Sequence, residues 1–328
     1  VIQMKVVTVV NPGTTSTLVI EEGAEPACGS REVVIRVRAA GVNRADLLQR
    51  AGMYPPPPGA SQILGLEVAG TIESMGRDVR GWSVGQSVCA LLTGGGYAQK
   101  VAVPSEQLLP IPQGFSFVQA AAIPEAFLTA YTNLIVEGCL GHGERVLIHG
   151  GSSGVGTAAI QIAKRIGAHV ACTVGSDKKA ARCREFGADI AVNYKNDDFA
   201  AKILAWAPTG VNLVLDIIGK DYLEDNLKVL APCGRLVCIA TMSGSRGELS
   251  IATLMQKRLR IIGSVLRSRS VAEKAALIHG FREKFLPDFE SRKLLPVVHE
   301  VFPLAEVARA HDVMRASEHV GKLVIEVG

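Results

Sequence analysis

The sequence predicts an α/β protein in which a doubly wound parallel sheet is inserted into a β-rich domain. Three observations predict it. Short β-rich segments punctuated by Gly and Pro run to residue 121, strands alternate with helical stretches over 122–266, and the tail 267–328 is too small to fold alone. At 328 residues, 48% hydrophobic and 20% charged, the chain buries a large core. Cores divide beyond roughly 250–300 residues, so two domains are expected and disorder, collagen and coiled coil are excluded.

In the first zone the strand segments are Lys5–Val10, Thr17–Glu22, Val33–Arg38, Ala69–Met75, Ser87–Leu92 and Tyr97–Val103, a pattern that suits a small twisted barrel. One helical stretch opens at Asn43, runs through Asp46-Leu47-Leu48 and stops near Gly52. Tyr54-Pro55-Pro56-Pro57-Pro58-Gly59 reads as a stiff exposed loop, because proline lacks the amide donor and fixes φ. The second zone contains strands at Arg145–His149, His169–Val174, Ile190–Asn193, Leu213–Ile218, Arg235–Ala240 and Arg260–Val265, with helices at Thr157–Ile166, Lys178–Phe186 and Phe199–Ala205. Such a series suits the strand order 3-2-1-4-5-6. The tail holds a helix (Ala272–Phe285), an extended piece (Val297–Phe302), a short helix (Ala305–Arg315) and a last apolar strand (Lys322–Val327). It is expected to return to the N-terminal unit, giving one domain of 1–121 with 267–328, another of 122–266, and a cleft at their junction.

Thirty-five Lys and Arg against 31 Asp and Glu leave a charge of +4, too small and scattered for a nucleic-acid groove. The seven cysteines show no CxxC spacing and no disulfide framework, which suits a reducing compartment and the role of small buried hydrophobes, Cys139 and Cys172 included. The first thirty residues lack a signal-peptide pattern, and no run of about twenty residues stays apolar. A cytoplasmic protein is expected, with no membrane contact.

The strongest chemical signal is Val146-Leu147-Ile148-His149-Gly150-Gly151-Ser152-Ser153-Gly154-Val155-Gly156, a buried strand entering a glycine-rich turn and then a helix. Gly151 and Gly154 let backbone approach a pyrophosphate, Gly156 permits close helix–strand packing, and the helix N-terminus offers amides and a positive dipole end. A tight turn without ligand would look similar, but the strand–helix alternation that follows points to a dinucleotide. The cofactor candidates in the turn are Gly151, Ser152, Ser153, Gly154, Val155 and Gly156.

An NAD site places a carboxylate at the end of the second strand. Here that strand ends Cys172-Thr173-Val174-Gly175-Ser176, with Asp177 late and Lys178-Lys179 following. Gly175 makes room, Ser176 can donate to an extra phosphate and Lys179 can pair with it, which reads as NADPH. The competing reading makes both lysines a solvated helix face and gives the ribose to Asp177. His149 reads as a strand-end histidine, since no Ser–His–Asp set assembles around it.

The chain resembles the medium-chain dehydrogenase/reductase family, in its zinc-independent quinone oxidoreductase branch, over essentially its full length. The matching stretches are Gly41-Val42-Asn43-Arg44-Ala45-Asp46, Gly65-Leu66-Glu67-Val68-Ala69-Gly70, Ala120-Ala121-Ala122-Ile123-Pro124, the glycine turn, Leu266-Arg267-Ser268-Arg269 and Gly321-Lys322. The resemblance implies a GroES-like catalytic domain, a Rossmann domain, NADPH, quinone reduction and a homodimer. It also implies that Thr129 lines the nicotinamide site and that Tyr194 lies by the adenosine phosphate. Gly219 and Lys322 complete the candidate cofactor set. In zinc-dependent relatives a cysteine stands where Asn43 is and a histidine where Leu66 is, and both bind catalytic zinc. Neither is present, nor are the four cysteines of the structural zinc lobe, so no metal is expected.

Without a Lewis acid, alcohol oxidation loses its usual driver, whereas a quinone accepts hydride to give a delocalised phenolate that needs little help. Asn43 can hydrogen-bond in the site. Tyr54 can stack on or protonate a flat substrate, or simply pack on Pro55. The expected activity is therefore NADPH-dependent quinone reduction. Reduction of activated double bonds uses the same site, and a cofactor-binding structural or RNA-binding protein remains the reading from another class. Dimerisation is expected through the last strand of the second zone, Arg260–Val265, at the sheet edge.

Overall fold

The computed structural model describes residues 3–328, in two compact units. The first closes at Leu128 and resumes at Arg267; the second is Thr129–Leu266. The division falls after the start of a helix, beyond the expected 121.

The first unit begins with β1 (Gln3–Val10) and β2 (Thr17–Ala24), an antiparallel pair that forms its own sheet. Then come β3 (Glu32–Val42), α1 (Arg44–Arg50), β4 (Glu67–Met75), β5 (Ser87–Leu91), β6 (Lys100–Pro104) and β7 (Leu108–Pro110). β6 starts later than expected, because Tyr97 is held outside the ladder by bonds from Val7 N to its carbonyl and from its own amide to Leu64 O. β7, with a proline at its end, carries too short a pattern to be read as a strand. Two helices follow, α2 (Phe117–Ala121) and α3 (Pro124–Tyr131), and α3 leads into a π-helical stretch, Thr132–Glu137.

The second unit is the doubly wound layer. Its elements are β8 (Arg145–His149), α4 (Gly154–Arg165), β9 (His169–Val174), α5 (Asp177–Glu185), β10 (Ile190–Asn193), α6 (Phe199–Trp206), β11 (Val211–Asp216), α7 (Leu223–Val229), β12 (Leu230–Cys238), α8 (Ile251–Lys257) and β13 (Arg260–Gly263). All neighbouring pairs are parallel, in the order β10-β9-β8-β11-β12-β13, which is 3-2-1-4-5-6. Val146, Leu147 and Ile148 of β8 are fully buried, as expected of a central strand covered on both faces. β11 stops at Asp216 rather than Ile218, because the Asp216 carboxylate accepts from the amides of Ile218 and Gly219 and turns the chain out of the ladder.

The tail supplies α9 (Val271–Glu290), β14 (Val298–Pro303), α10 (Val307–Ala316) and β15 (Lys322–Glu326). α9 runs through Pro287 and beyond the expected end at Phe285. β15 pairs antiparallel with β3, and β14 pairs parallel with β15, so the tail completes the seven-stranded sheet of the first unit in the order β14-β15-β3-β4-β5-β7, with β6 on β3. One cluster holds Val33, Ile35 and Val37 of β3 together with Leu323 and Ile325 of β15, which is why the tail cannot be separated from the start of the chain.

Candidate functional site

The glycine turn lies between β8 and α4. Ser153 caps α4, its Oγ accepting from Gly156 N at 2.9 Å. The first-turn amides of Gly154 and Val155 have no acceptor among the described residues, and they sit at the positive end of a twelve-residue helix. A Cβ on Gly156 would lie 2.2 Å from Gly150 O, so helix and turn approach too closely for any side chain. At Gly151 the fold also requires a missing side chain, since a Cβ there would collide with Cys172 of β9.

At the end of β9, Ser176 caps α5 and accepts from Lys179 N. A Cβ on Gly175 would stand 2.8 Å from the Tyr194 hydroxyl and 3.6 Å from Lys195 Cε, so both side chains gather at this corner. Lys195 does not stand out in the sequence, since it follows a strand end with no helical or strand spacing to mark it. Asp177, the carboxylate of the competing reading, lies beyond the strand end and accepts from Asn193 Nδ2 at 3.0 Å. Lys178 is exposed and Lys179 half-buried. Gly219 follows β11, with its amide held by Asp216 Oδ2 at 3.0 Å.

His149 ends β8 fully buried between Thr173 Oγ1 (2.9 Å) and Asn226 Oδ1 (2.7 Å), with the rings of Phe199 and Tyr222 edge-on. Burial pushes its imidazole down to about 4, so it is neutral near pH 7 and orders the strand end. The unfolded chain protonates near pH 6.5 while the folded chain resists until about 4, so this contribution to stability is lost as pH falls through that window. His311, held down to about 3, acts in the same direction. Asp46, raised to about 6, acts oppositely, since the folded state takes up its proton first. Thermal unfolding between pH 7 and 4 is therefore expected to fall less steeply in His149→Gln than in the wild type; equal slopes would contradict this account.

In the first unit Asn43 caps α1, with Asp46 Oδ2 reaching back to Asn43 N at 2.8 Å. Asp46 also accepts from Gly65 N and from the Tyr97 hydroxyl, which is 3.2 Å from His311 Nε2. The Asn43 side chain faces a buried ion pair. Its Nδ2 donates to Glu67 Oε1 at 3.0 Å, and Lys322 Nζ donates to Asn43 Oδ1 (2.5 Å), Glu67 Oε1 (2.6 Å) and Val42 O (2.9 Å). Glu67 Oε2 accepts from Glu125 N at 2.8 Å. Gly41 leaves the space for that carboxylate, since a Cβ there would lie 2.2 Å from Glu67 Oε1. All three ammonium donors of Lys322 are engaged, so its place in the candidate cofactor set is corrected: it holds Glu67 and Asn43 and has no donor left for a phosphate. Glu67, in a quoted motif but without an assigned role, is the centre of this cluster.

Tyr54 lies on the proline loop, half-buried. The partner of its ring is the Arg267 guanidinium, 5.3 Å from the centroid. Burial raises its phenol above the usual value. Thr129 is buried at the start of the second unit, and its carbonyl accepts from Asn133 Nδ2. Asn43 and Tyr54 thus belong to the first unit and Thr129 to the second. Cysteines correct one expectation: Cys89, Cys172 and Cys183 are buried, but Cys139 is exposed, as are Cys28 and Cys233.

These residues do not form a zinc site. Leu66 offers no donor, the Asn43 amide is engaged at both ends, and Glu67 already faces an ammonium. Among the described residues no group of three or more His, Cys, Asp or Glu could hold a metal ion. Among them, too, no helix is long and apolar enough to cross a membrane.

A parallel sheet in this order, opened by a glycine turn with free amides, defines a dinucleotide-binding unit. Residues 154–279 match the family model described as zinc-binding dehydrogenase, and residues 29–113 match the alcohol dehydrogenase GroES-like domain. The quinone oxidoreductase of Pseudomonas aeruginosa is 34% identical over 309 residues, covering 92% of each chain. A phenolphthiocerol/phthiocerol polyketide synthase subunit of Mycobacterium tuberculosis is 31% identical over 321 residues, and there the chain spans only 14% of the relative's length. Among solved structures, the quinone oxidoreductase of Thermus thermophilus, described with its NADPH complex, matches with a TM-score of 0.84 and 34% identity over 99% of this chain and 100% of that one. CurK enoyl reductase matches with a TM-score of 0.87 and 30% identity over 100% of both. The chain belongs to the medium-chain dehydrogenase/reductase family, whose members are nicotinamide-dinucleotide-dependent oxidoreductases.

Proposed function

We propose that the protein is an NADPH-dependent reductase of quinones that works without a metal ion. The observation that carries the cofactor reading is the corner at Gly175, where Tyr194 and Lys195 gather next to the capping Ser176 while Asp177 is tied to Asn193. The likeness to the two quinone oxidoreductases supports the substrate class. Bound NADPH supplies the hydride. The amides of Gly154 and Val155 would hold its diphosphate, and Ser176 and Lys179 the additional phosphate. In the first unit the Tyr54 ring offers a flat apolar face, and burial, by raising its phenol, makes it a weaker acid, so the hydroquinone anion takes its proton from water.

Rates with NADPH and NADH against a panel of quinones, enones and alcohols test this reading. NADPH with a quinone should be fastest, and Lys179→Glu should narrow the NADPH preference by about 1–3 kcal/mol, the range of a charge-assisted contact. Equal use of both cofactors by the unmodified protein would overturn the NADPH reading. The likeness to CurK enoyl reductase supports a second reading, reduction of activated double bonds, which the enone arm of the panel decides. Cofactor binding without turnover of any substrate would leave a binding protein.

The same proposal includes a homodimer through β13. That strand is the edge of its sheet, and Ile261 is 41% exposed on it. A monomeric mass in solution at micromolar concentration would remove this part.

A further inference from the structure

Two buried cations in the first unit lack an acid. Arg267 is 6% exposed and Lys274 2%. Their hydrogen bonds go to neutral oxygens: Arg267 Nε to Thr93 O (2.9 Å), Arg267 Nη2 to Gln49 Oε1 (2.7 Å) and Lys274 Nζ to Thr93 Oγ1 (2.8 Å). Arg267 Nη1 is buried with no partner at all. Asp46, whose charge reaches Arg267, is occupied by the amides of Asn43 and Gly65 and by the Tyr97 hydroxyl.

Nothing in the local fold asks for this charge. Lys274 stands in the first turn of α9, where the helix dipole opposes a cation. Burial and the charge of Arg267 lower it to about 8, and burial lowers Arg267 as well. Buried charges persist when something pairs with them, and an unused guanidinium N–H beside an ammonium is a donor set for an oxyanion. The third member is aromatic, since the Arg267 guanidinium lies against the Tyr54 ring.

We propose that Arg267, Lys274 and Tyr54 form a recognition site for an oxyanion carried on a planar ring, a carboxylate or sulfonate. This deepens the reductase reading on which it rests, because it makes the preferred substrate an anionic aromatic rather than a wholly apolar one.

Calorimetric titration of the intact protein with sodium 2-naphthoate and with the neutral 2-naphthamide tests the site without any turnover. Naphthoate should bind at least about tenfold tighter. Lys274→Met and Arg267→Gln should each erase most of that preference. Gln49→Glu, which places a carboxylate against Arg267 without emptying space, should erase it too, and it keeps the test open if the other variants fold poorly. Equal affinity for the two ligands, no binding of either, or a preference that survives in the folded variants would overturn the proposal. A naphthoate preference in a protein that reduces no quinone would leave the site standing and remove the reductase reading. Quinone turnover with no such preference would do the reverse.

Discussion

Gly156→Ala is expected to abolish dinucleotide binding and to destabilise the second unit by about 1–3 kcal/mol or more, the range for forcing extra volume into a packed site. The added methyl would lie 2.2 Å from Gly150 O and 2.7 Å from Gly151 C and O. Those are backbone atoms of the turn itself, so no side chain can swing aside. Relief requires α4 to move off the turn, which carries the free amides of Gly154 and Val155 away from the place where an anion would sit. Gly141→Ala is the control, because its Cβ would meet only Glu144 Oε2 at 3.8 Å. Thermal unfolding and the fluorescence of bound reduced dinucleotide measure the two effects. A Gly156→Ala protein that melts and binds like wild type would show that the turn has slack that its geometry denies.

That cradle is readable because everything it needs is local: a buried strand, a glycine turn, a capping serine and a helix follow one another in the chain. Strands β8, β9 and β10 are legible to the residue for a related reason. Parallel strands covered on both faces are continuous apolar runs bounded by glycine or polar residues. β12 is less clear, since it begins at Leu230, well before Arg235, and crosses Pro232 and Gly234. Helices α7 and α8 are seven residues each and escape a reading by pattern, because two turns carry too little periodicity to stand out.

The first unit is harder to read for its chemistry. Asn43 is recognisable as a polar residue in a quoted motif, but its partners lie 24 and 279 positions away, in Glu67 and Lys322. No spacing rule reaches that far; only the return of β15 onto β3 brings them together. Arg267 and Lys274 are similar. Their common anchor is Thr93, 174 and 181 positions earlier, and nothing in the sequence says that these two cations are inside rather than outside. For Tyr54 the sequence favours stacking on a flat substrate over protonating it, with packing on Pro55 as the alternative, and the structure gives its ring a cation as partner.

The ion pair at the centre of the first unit should behave as one energetic unit, and a double-mutant cycle measures it. Glu67→Gln leaves the Lys322 ammonium buried among neutral oxygens only: that of the new amide, Asn43 Oδ1 and Val42 O. Lys322→Met leaves the Glu67 carboxylate with only an amide side chain and the Glu125 N–H. Each single change strands a charge at a site 4% or less exposed, and each should cost about 3–5 kcal/mol. Glu67→Gln combined with Lys322→Met removes both charges, so it should cost clearly less than the sum of the singles and can approach one of them. Unfolding of the first unit can be followed separately, because the chain has two tryptophans, Trp82 in that unit and Trp206 in the other. In a Trp206→Phe background, denaturant titrations read by Trp82 report the cycle. Strict additivity would mean that Glu67 and Lys322 are each satisfied by their neutral neighbours and that the pair carries no coupling. A double variant more stable than the wild type would mean that the charges are kept for what Asn43 is held to do, since the fold alone would then do better without them.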